Sequence, residues 1–341
     1  MARVFIDGFE DGTHNHWFKT GVNTYTSTAT PGLNGSGYKL GMRITQNDEL
    51  TRSLPNATSY YMAFKIAITG LSGTGNIFRI KSGATALATL ILPTTTYAVM
   101  KIGTGGASLG IFTTPISVDI GVTSNIEIYY KPSTVTEGAE AGRCIVKLNG
   151  IVQFDFTGAT APSTLPINTI ALMTGEANQT YYDDIVVDNA EWPGNTRIQA
   201  LKPNAAGTNS GFTPSTAAVA NYTMVDEVPA STTDYVYTDV ADTLDLYNMT
   251  AFVPPQANVP WKVKCVQAQA LASYEGVSPV GSVQLVVKSG TTVNPTDASN
   301  IQALSTVWAE YGKIWETNPA TGLPWTVAEI DAMEVGIRSK A

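Results

Sequence analysis

The sequence predicts an all-β protein with two domains. Strand signals recur at short intervals and are separated by Gly, Pro, Asn and Ser, which is typical of a β-sandwich rather than of alternating βαβ units. The length of 341 residues also fits two domains, since one domain usually has about 100–200 residues. With 43% hydrophobic residues the chain has enough apolar surface to form a core, which argues against a disordered protein.

The charge of the chain is low and acidic. Twenty Lys and Arg residues against 28 Asp and Glu residues give a net charge of −8, and 14% of the residues are charged. Because the cations are scattered singly, whereas nucleic-acid binding needs clustered cations, no nucleic-acid partner is expected. No apolar run reaches the roughly 18–20 residues that cross a bilayer, so no membrane insertion is expected either.

The strands of the first domain are predicted between residues 4 and 187. Around residue 127, Ile126 and Ile128 fall on one face while Glu127 falls on the other, which indicates a strand with one buried face. Further on, Asn149-Gly150 separates two alternating runs and predicts a type I′ hairpin turn, because these residues tolerate positive φ.

A change of composition divides the chain. After Trp192-Pro193-Gly194 the sequence becomes rich in turn formers. We therefore expect a lectin-like domain over residues 1–192, a connector with few regular elements over 193–250, and a smaller C-terminal β domain over 251–341.

The C-terminal domain is predicted to contain one short helix. Thr326 can serve as its N-cap, with Glu329 at the third helical position, so the helix is expected over residues 327–333. The stretch 303–315 fits both a helical stripe and a strand; the neighbouring strands favour a strand.

Cysteine usage points to synthesis in a reducing cytoplasm. Cys144 and Cys265 are far apart in the sequence and are expected to be unpaired thiols rather than a disulfide framework. The N-terminal residues contain no long apolar stretch, so no signal peptide is predicted.

One pair of acidic residues is a candidate metal site. Glu10 follows the first strand and Asp184 lies in the last strand of the first domain, and these two strands are commonly neighbours in an antiparallel jelly roll. Hard oxygen ligands suit Ca²⁺, so a structural calcium held by Glu10 and Asp184 is one interpretation. The other is that both are ordinary acids at strand ends, in which case no cofactor is bound.

The sequence predicts no catalytic residues. His14 and His16, the only histidines, have no recognisable third ligand and are expected in a polar turn. No nucleophile elbow, phosphate-binding glycine pattern or pair of glycosidase carboxylates is evident. A non-enzymatic protein is therefore expected.

Three tyrosine pairs are candidates for sugar stacking: Tyr60-Tyr61, Tyr129-Tyr130 and Tyr181-Tyr182. Adjacent residues on a strand point to opposite faces, so at most one tyrosine of each pair is exposed on a given face and the other packs in the core. The sequence does not identify a glycan-binding residue.

Several motifs resemble bacteriophage structural proteins. The opening Ile6-Asp7-Gly8-Phe9-Glu10-Asp11-Gly12 and the closing Tyr182-Asp183-Asp184-Ile185-Val186-Val187 of the first domain resemble concanavalin-like and laminin-G-like jelly rolls of phage virions. The resemblance continues through residues 196–207 and 221–229, the short motifs at 234–237 and 245–247, and residues 315–330, and so covers nearly the whole chain.

This resemblance implies an exposed structural component of a virion, either in a tail fibre or tail tip or as a decoration of the head exterior. The expected partners are other virion proteins and copies of the chain itself, with host-surface glycan as a further contact. A glycan-binding receptor lectin is the alternative, and a polysaccharide depolymerase is a third possibility. The resemblance also implies that Glu10 and Asp184 match positions where related jelly rolls hold calcium.

Overall fold

The chain divides into two units, residues 1–199 and residues 200–341, and each is described by itself. The structure is a computed structural model, which describes residues 3–10, 17–20, 26–29, 40–45, 49–69, 73–93, 97–117, 122–174, 179–254, 261–276, 280–295 and 299–341. Within these ranges no helix is long and apolar enough to cross a membrane.

The first unit is an antiparallel sandwich of two sheets. Its strands, in chain order, are β1 (Arg3–Asp7), β2 (Phe18–Thr20), β3 (Thr26–Ala29), β4 (Leu40–Thr45), β5 (Glu49–Ala57), β6 (Tyr60–Thr69), β7 (Gly75–Ser82), β8 (Thr85–Leu92), β9 (Val99–Ile102), β10 (Ser108–Ile111), β11 (Ser124–Lys131), β12 (Gly142–Leu148), β13 (Ile151–Gly158), β14 (Ile167–Met173) and β15 (Gln179–Asp188).

Strand order defines the two sheets. Sheet A has the order β13-β12-β11-β6-β15-β4-β3, with β1 also paired to β15. Sheet B has the order β10-β9-β8-β7-β14-β5-β2. The pairing of β1 with β15 confirms that the first and last strands are neighbours, and the all-β jelly-roll sandwich is the fold that the sequence predicts.

The core of this unit lies between the two sheets. Alternate residues of facing strands fill it, and Phe64 of β6 stacks on Phe78 of β7 with ring centroids 4.7 Å apart. Tyr182 of β15 is fully buried and donates its hydroxyl to the carbonyl oxygens of Ile77 and Met173, both in sheet B. The two sheets are therefore joined by polar contacts as well as by apolar packing.

The predicted hairpin is confirmed. Asn149 and Gly150 both have positive φ, 51° and 82°, and they join β12 to β13. The side-chain oxygen of Asn149 also accepts a hydrogen bond from the amide of Asn125, which ties the turn to β11.

The second unit is also built mainly from strands. They are β16 (Pro203–Ser210), β17 (Thr213–Pro214), β18 (Val236–Tyr237), β19 (Leu244–Met249), β20 (Val266–Ala272), β21 (Ser282–Ser289), β22 (Thr292–Asn294), β23 (Ile301–Ala303), β24 (Ala309–Trp315) and β25 (Glu334–Lys340). A 3₁₀ turn (Asn221–Met224) and the helix α1 (Val327–Asp331) complete it.

A six-stranded sheet organises the second unit. Its order is β16-β19-β25-β21-β22, with β23 paired to β21, while β17 pairs with β18 and β20 with β24. Apolar side chains of β21, of the β20–β24 pair and of α1 share one core, including Leu285, Trp315 and Ile330. Trp325 donates its indole N–H to the carbonyl of Trp315 and so closes this core beside the helix.

The structure differs from the predicted division at the connector. Residues 193–250 were expected to contain few regular elements, but β16 and β19 are two strands of the six-stranded sheet, and the boundary between the units falls after Gln199. The difference arises because Pro203–Ser210 has the composition of a loop, so its strand pairing depends on a partner that is distant in the sequence.

Other expectations are confirmed, apart from the end of the helix. Thr326 and Glu329 form the capping box of α1, which ends at Asp331 rather than at residue 333. The ambiguous stretch 303–315 ends in a strand, Ala309–Trp315. Both cysteines are thiols outside any disulfide.

Candidate functional site

The two sheets of the first unit carry different charges. The strands of sheet A contain six basic and six acidic residues. The strands of sheet B contain a single acid, Glu49, together with five basic residues: Lys19, Arg52, Arg79, Lys81 and Lys101. Sheet B is therefore a local concentration of positive charge in a chain whose net charge is −8.

Three of these charged residues form a cluster on the outer face of sheet B. Phe78 and Ile80 point into the core, so Arg79 and Lys81, which alternate with them along β7, lie on the opposite face. Arg79 Nη1 donates to Glu49 Oε2 at 3.2 Å, and Lys81 Nζ donates to Glu49 Oε1 at 2.6 Å. Two cations thus share one carboxylate, which leaves the cluster with one net positive charge.

A row of polar groups continues this cluster across the sheet. Arg79 Nε donates to Thr89 Oγ1 at 3.2 Å, and the Thr89 hydroxyl donates in turn to the carbonyl of Gly103. Lys101 of β9 lies opposite Thr89 in the strand register. The row of charged and polar groups therefore runs from β7 over the buried Thr89 of β8 to β9.

A shallow cleft of about 430 Å³ opens beside Lys81. Thr169 of β14, which lies opposite Lys81 in the register, lines it together with Ser53, Asn56 and Asn168. Asn168 is central: its oxygen accepts from the Gly83 amide at 2.6 Å and its nitrogen donates to the Asn56 oxygen at 3.2 Å. Amide and hydroxyl groups thus line the cleft together with Leu54 and Pro55, and Lys81 is the register partner of Thr169.

These residues suit a polyhydroxylated anion. Amide and hydroxyl side chains both donate and accept hydrogen bonds, as sugar hydroxyls require. Arg and Lys bind carboxylate or sulfate groups through charge-assisted hydrogen bonds. The outer face of sheet B offers both kinds of group within adjoining rows.

Sequence reasoning missed this site. The alternation Arg79-Ile80-Lys81 is visible in the sequence and predicts two cations on one strand face. Glu49, Lys101 and Asn168, however, reach the same surface only through the order β9-β8-β7-β14-β5, which depends on long-range pairing.

The candidate calcium ligands lie in a buried charged cluster on sheet A. Asp184 sits at an irregularity of β15, where its φ is 50°. Its Oδ2 accepts from Lys65 Nζ, and its Oδ1 accepts from the backbone amide of Ile198 at 2.6 Å. Glu10 is also buried, and its charge raises the pKa of Asp183, so the first and last strands do bring these acids near one another.

Burial is the main electrostatic influence on this cluster. It raises the pKa of Asp183 well above the ordinary value, and the neighbouring Asp184 adds to that shift. Burial also raises the pKa of Asp184, although the ammonium of Lys65 acts in the opposite direction. Lys65 is thus the cation that stabilises the ionised form of Asp184.

At Asp184 the protein itself supplies a cation. Both oxygens of Asp184 accept hydrogen bonds, one from the Lys65 ammonium and one from the Ile198 amide. Across the part of the chain that the structure describes, no group of three His, Cys, Asp or Glu side chains is arranged to hold a metal. A structural calcium at Glu10 and Asp184 stays a prediction from the resemblance, and His14 and His16 lie outside the described residues.

The tyrosine pairs behave as the strand alternation predicts. Tyr60, Tyr130 and Tyr182 are fully buried in the core, whereas Tyr61 and Tyr129 lie half-buried on the outer face of sheet A. No pair places both rings on one face.

Comparisons with known proteins concern the fold. No family model and no curated protein matches the chain. An endo-β-1,4-glucuronan lyase from the fungus Trichoderma reesei is 13% identical, with a TM-score of 0.41, over 55% of this chain and 96% of its own. The cellulose-induced protein Cip1 is 13% identical, with a TM-score of 0.42, over 57% of this chain and 99% of its own. The carbohydrate-binding module CBM66 from Bacillus subtilis is 10% identical, with a TM-score of 0.34, over 51% of this chain and 96% of its own.

These structures correct one expectation. The chain was expected not to be an enzyme, but the similar structures include a glucuronan lyase and alginate lyases. That expectation is therefore wrong as it stands.

Proposed function

We propose that the first unit binds acidic polysaccharides on the outer face of sheet B. One observation carries this proposal: Arg79 and Lys81 share the carboxylate of Glu49 beside a cleft lined by amide and hydroxyl groups. A sugar unit that carries a carboxylate or sulfate can use both kinds of group at once.

The overall acidity of the chain does not oppose this binding strongly. At physiological ionic strength, charges separated by more than about 8 Å are largely screened. A bound anion therefore responds mainly to Arg79, Lys81 and Lys101, rather than to acids elsewhere in the chain. The surplus of cations on sheet B favours an acidic ligand over a neutral one.

An array of acidic and neutral glycans, probed with the full chain, tests the proposal. We expect acidic polysaccharides among the bound ligands, and we expect Lys81→Gln to weaken their binding. The matched control is Lys131→Gln, which removes the same charge from sheet A, where Lys131 donates to the carbonyl of Ala139. Equal loss in both variants, or no binding of any acidic glycan, would contradict the proposal.

Cleavage of the bound polysaccharide is a second candidate function. It is favoured by the same pair of cations, since neutralising a uronate carboxylate acidifies the proton on the adjacent C5. In such an elimination a base removes that proton, the C4–O bond breaks, a C4=C5 double bond forms, and the leaving oxygen takes up a proton. The unsaturated product absorbs ultraviolet light, so incubation with polyuronate gives increasing absorbance if the chain is a lyase and constant absorbance if it only binds.

The sequence resemblance supports a location of the chain on the exterior of a bacteriophage virion. There the chain would assemble with other virion proteins and with copies of itself after synthesis in the host cytoplasm, and sheet B would contact host-surface glycan. Two thiols outside any disulfide are compatible with that origin. Antibody labelling of purified particles tests this location: label on the tail or head supports it, and particles without the chain contradict it.

A further inference from the structure

A second polar and aromatic surface lies on the outer face of sheet A, on the opposite side of the sandwich from the cleft. Tyr61 of β6 and Tyr129 of β11 face each other in the strand register, and their ring centroids are 4.6 Å apart. Arg143 of β12 and Asp155 of β13 lie on the same face. We call these four residues the tyrosine–arginine cluster.

The cluster is exposed and ordered by its own contacts. Arg143 donates from Nε to Asp155 Oδ1 at 3.1 Å and from Nη2 to Asp155 Oδ2 at 2.8 Å. The side chains of Arg143 and Asp155 are 49% and 44% exposed, so a ligand can reach both. This pairing leaves Arg143 Nη1 outside the ion pair.

The segment that follows β15 braces the tyrosines from one side. The ring of Trp192 packs edge-on against Tyr61 at 5.2 Å, and Lys147 Nζ lies 3.5 Å from the centroid of the Trp192 ring. The amide of Gly194 donates to Glu127 Oε1 at 3.0 Å and fixes the same segment to the sheet. The two tyrosine rings are thus held in place before any ligand arrives.

The charges of the cluster cancel, in contrast to those on sheet B. The hydrogen bonds from Arg143 lower the pKa of Asp155, and those to Asp155 raise the pKa of Arg143, so both groups remain ionised as a pair. An anionic ligand would have to compete with Asp155 for the guanidinium. A neutral ligand gains hydrogen bonds from both partners without separating them.

We propose that the tyrosine–arginine cluster is a second carbohydrate site, specific for neutral sugar chains. A pyranose ring with equatorial hydroxyls has an apolar face that packs against a tyrosine ring. Its neighbouring hydroxyls match the Nη1 donor of Arg143 and the carboxylate acceptor of Asp155. The site is independent of the acidic-polysaccharide site, and one unit would bind two kinds of chain on opposite faces.

Calorimetric titration of the full chain with two probes tests this proposal. The neutral probe is a β-1,4-linked glucose hexasaccharide, whose rings carry equatorial hydroxyls, and the acidic probe is a galacturonate hexasaccharide. Arg143→Gln and Tyr129→Ala should each weaken binding of the neutral probe about tenfold, which corresponds to about 1.4 kcal/mol. Both should leave binding of the acidic probe unchanged.

The controls separate this site from the first. Tyr237→Ala removes an exposed tyrosine from the second unit and should leave both titrations unchanged. Tyr129→Phe keeps the ring and should retain neutral binding if the ring face carries it, which also guards against a folding defect in Tyr129→Ala.

Each outcome decides one question. If the neutral probe does not bind, or if its affinity is the same in Arg143→Gln and in the unchanged chain, the second site is wrong. If neutral binding is lost only in Lys81→Gln, it belongs to sheet B and the second site is again wrong. If the acidic probe fails to bind while the neutral one depends on Arg143, the proposed function fails and this inference stands.

Discussion

At the residue scale, the buried polar contacts are what the sequence predicts least well. Alternation predicts that one tyrosine of the pair Tyr181-Tyr182 packs in the core, so the burial of Tyr182 follows from the sequence. The irregularity at Asp184 and the approach of Lys65 from β6 do not follow, because they depend on pairing between strands that are 119 residues apart. The predicted calcium site includes Asp184 as well.

The hydroxyl of Tyr182 gives a direct prediction about how the two sheets are held together. Tyr182→Phe keeps the ring but removes the donor that the carbonyls of Ile77 and Met173 share. We expect a loss of about 1–2 kcal/mol in the free energy of unfolding, measured by urea denaturation, because a buried hydrogen bond is removed. Tyr97→Phe, which changes an exposed tyrosine, is the matched control. Equal stability of the two variants would show that the hydroxyl does not tie the sheets.

The buried Lys65–Asp184 pair leads to a prediction about calcium. Since the ammonium of Lys65 supplies the positive charge at Asp184, chelation with EDTA should leave the melting temperature unchanged. A bound ion that stabilised the fold would instead make the melting temperature depend on calcium concentration. A melting temperature that falls by several degrees in EDTA and recovers with added Ca²⁺ would contradict this and support Glu10 and Asp184 as metal ligands.

At the scale of single elements, local signals predicted turns and caps better than strands of unusual composition. The Asn149-Gly150 turn and the Thr326 capping box involve residues close together in the sequence, and both are present. β16 was missed because its sequence, Pro203–Ser210, consists of turn formers and small residues. Glycine is required at position 207 because a Cβ there would lie 2.5 Å from the carbonyl oxygen of Leu246 in β19.

Glycine on the other side of β19 permits an equally close approach. A Cβ on Gly336 of β25 would lie 1.9 Å from the carbonyl oxygen of Asp245, and backbone cannot move aside as a flexible side chain can. Gly336→Ala should therefore destabilise the chain by about 1–3 kcal/mol, as overpacking does, with the loss seen in chemical denaturation.

Gly281→Ala is the matched control for that prediction, since nothing lies within 4 Å of a Cβ at that position. If Gly336→Ala is as stable as Gly281→Ala, the close contact between β19 and β25 is not a constraint on the fold.

At the scale of the whole molecule, net charge conceals a division between the two sheets of the first unit. The sequence shows a chain of charge −8 with scattered cations, which predicts neither a nucleic-acid surface nor a charged sheet. Strand order collects five of those cations in sheet B with one acid, and leaves sheet A balanced. The all-β fold was predictable from local patterns, whereas the candidate site required the topology.

The most direct test of the central claim is the salt dependence of binding to the acidic galacturonate hexasaccharide. We predict that the unchanged chain binds it more weakly as the ionic strength rises from about 0.02 M to about 0.2 M, because added salt screens the contacts of the ligand with Arg79, Lys81 and Lys101. The double variant Arg79→Gln and Lys81→Gln should bind weakly at both ionic strengths. Binding that does not depend on salt, or that persists at full strength in the double variant, would contradict an acidic-polysaccharide site on sheet B.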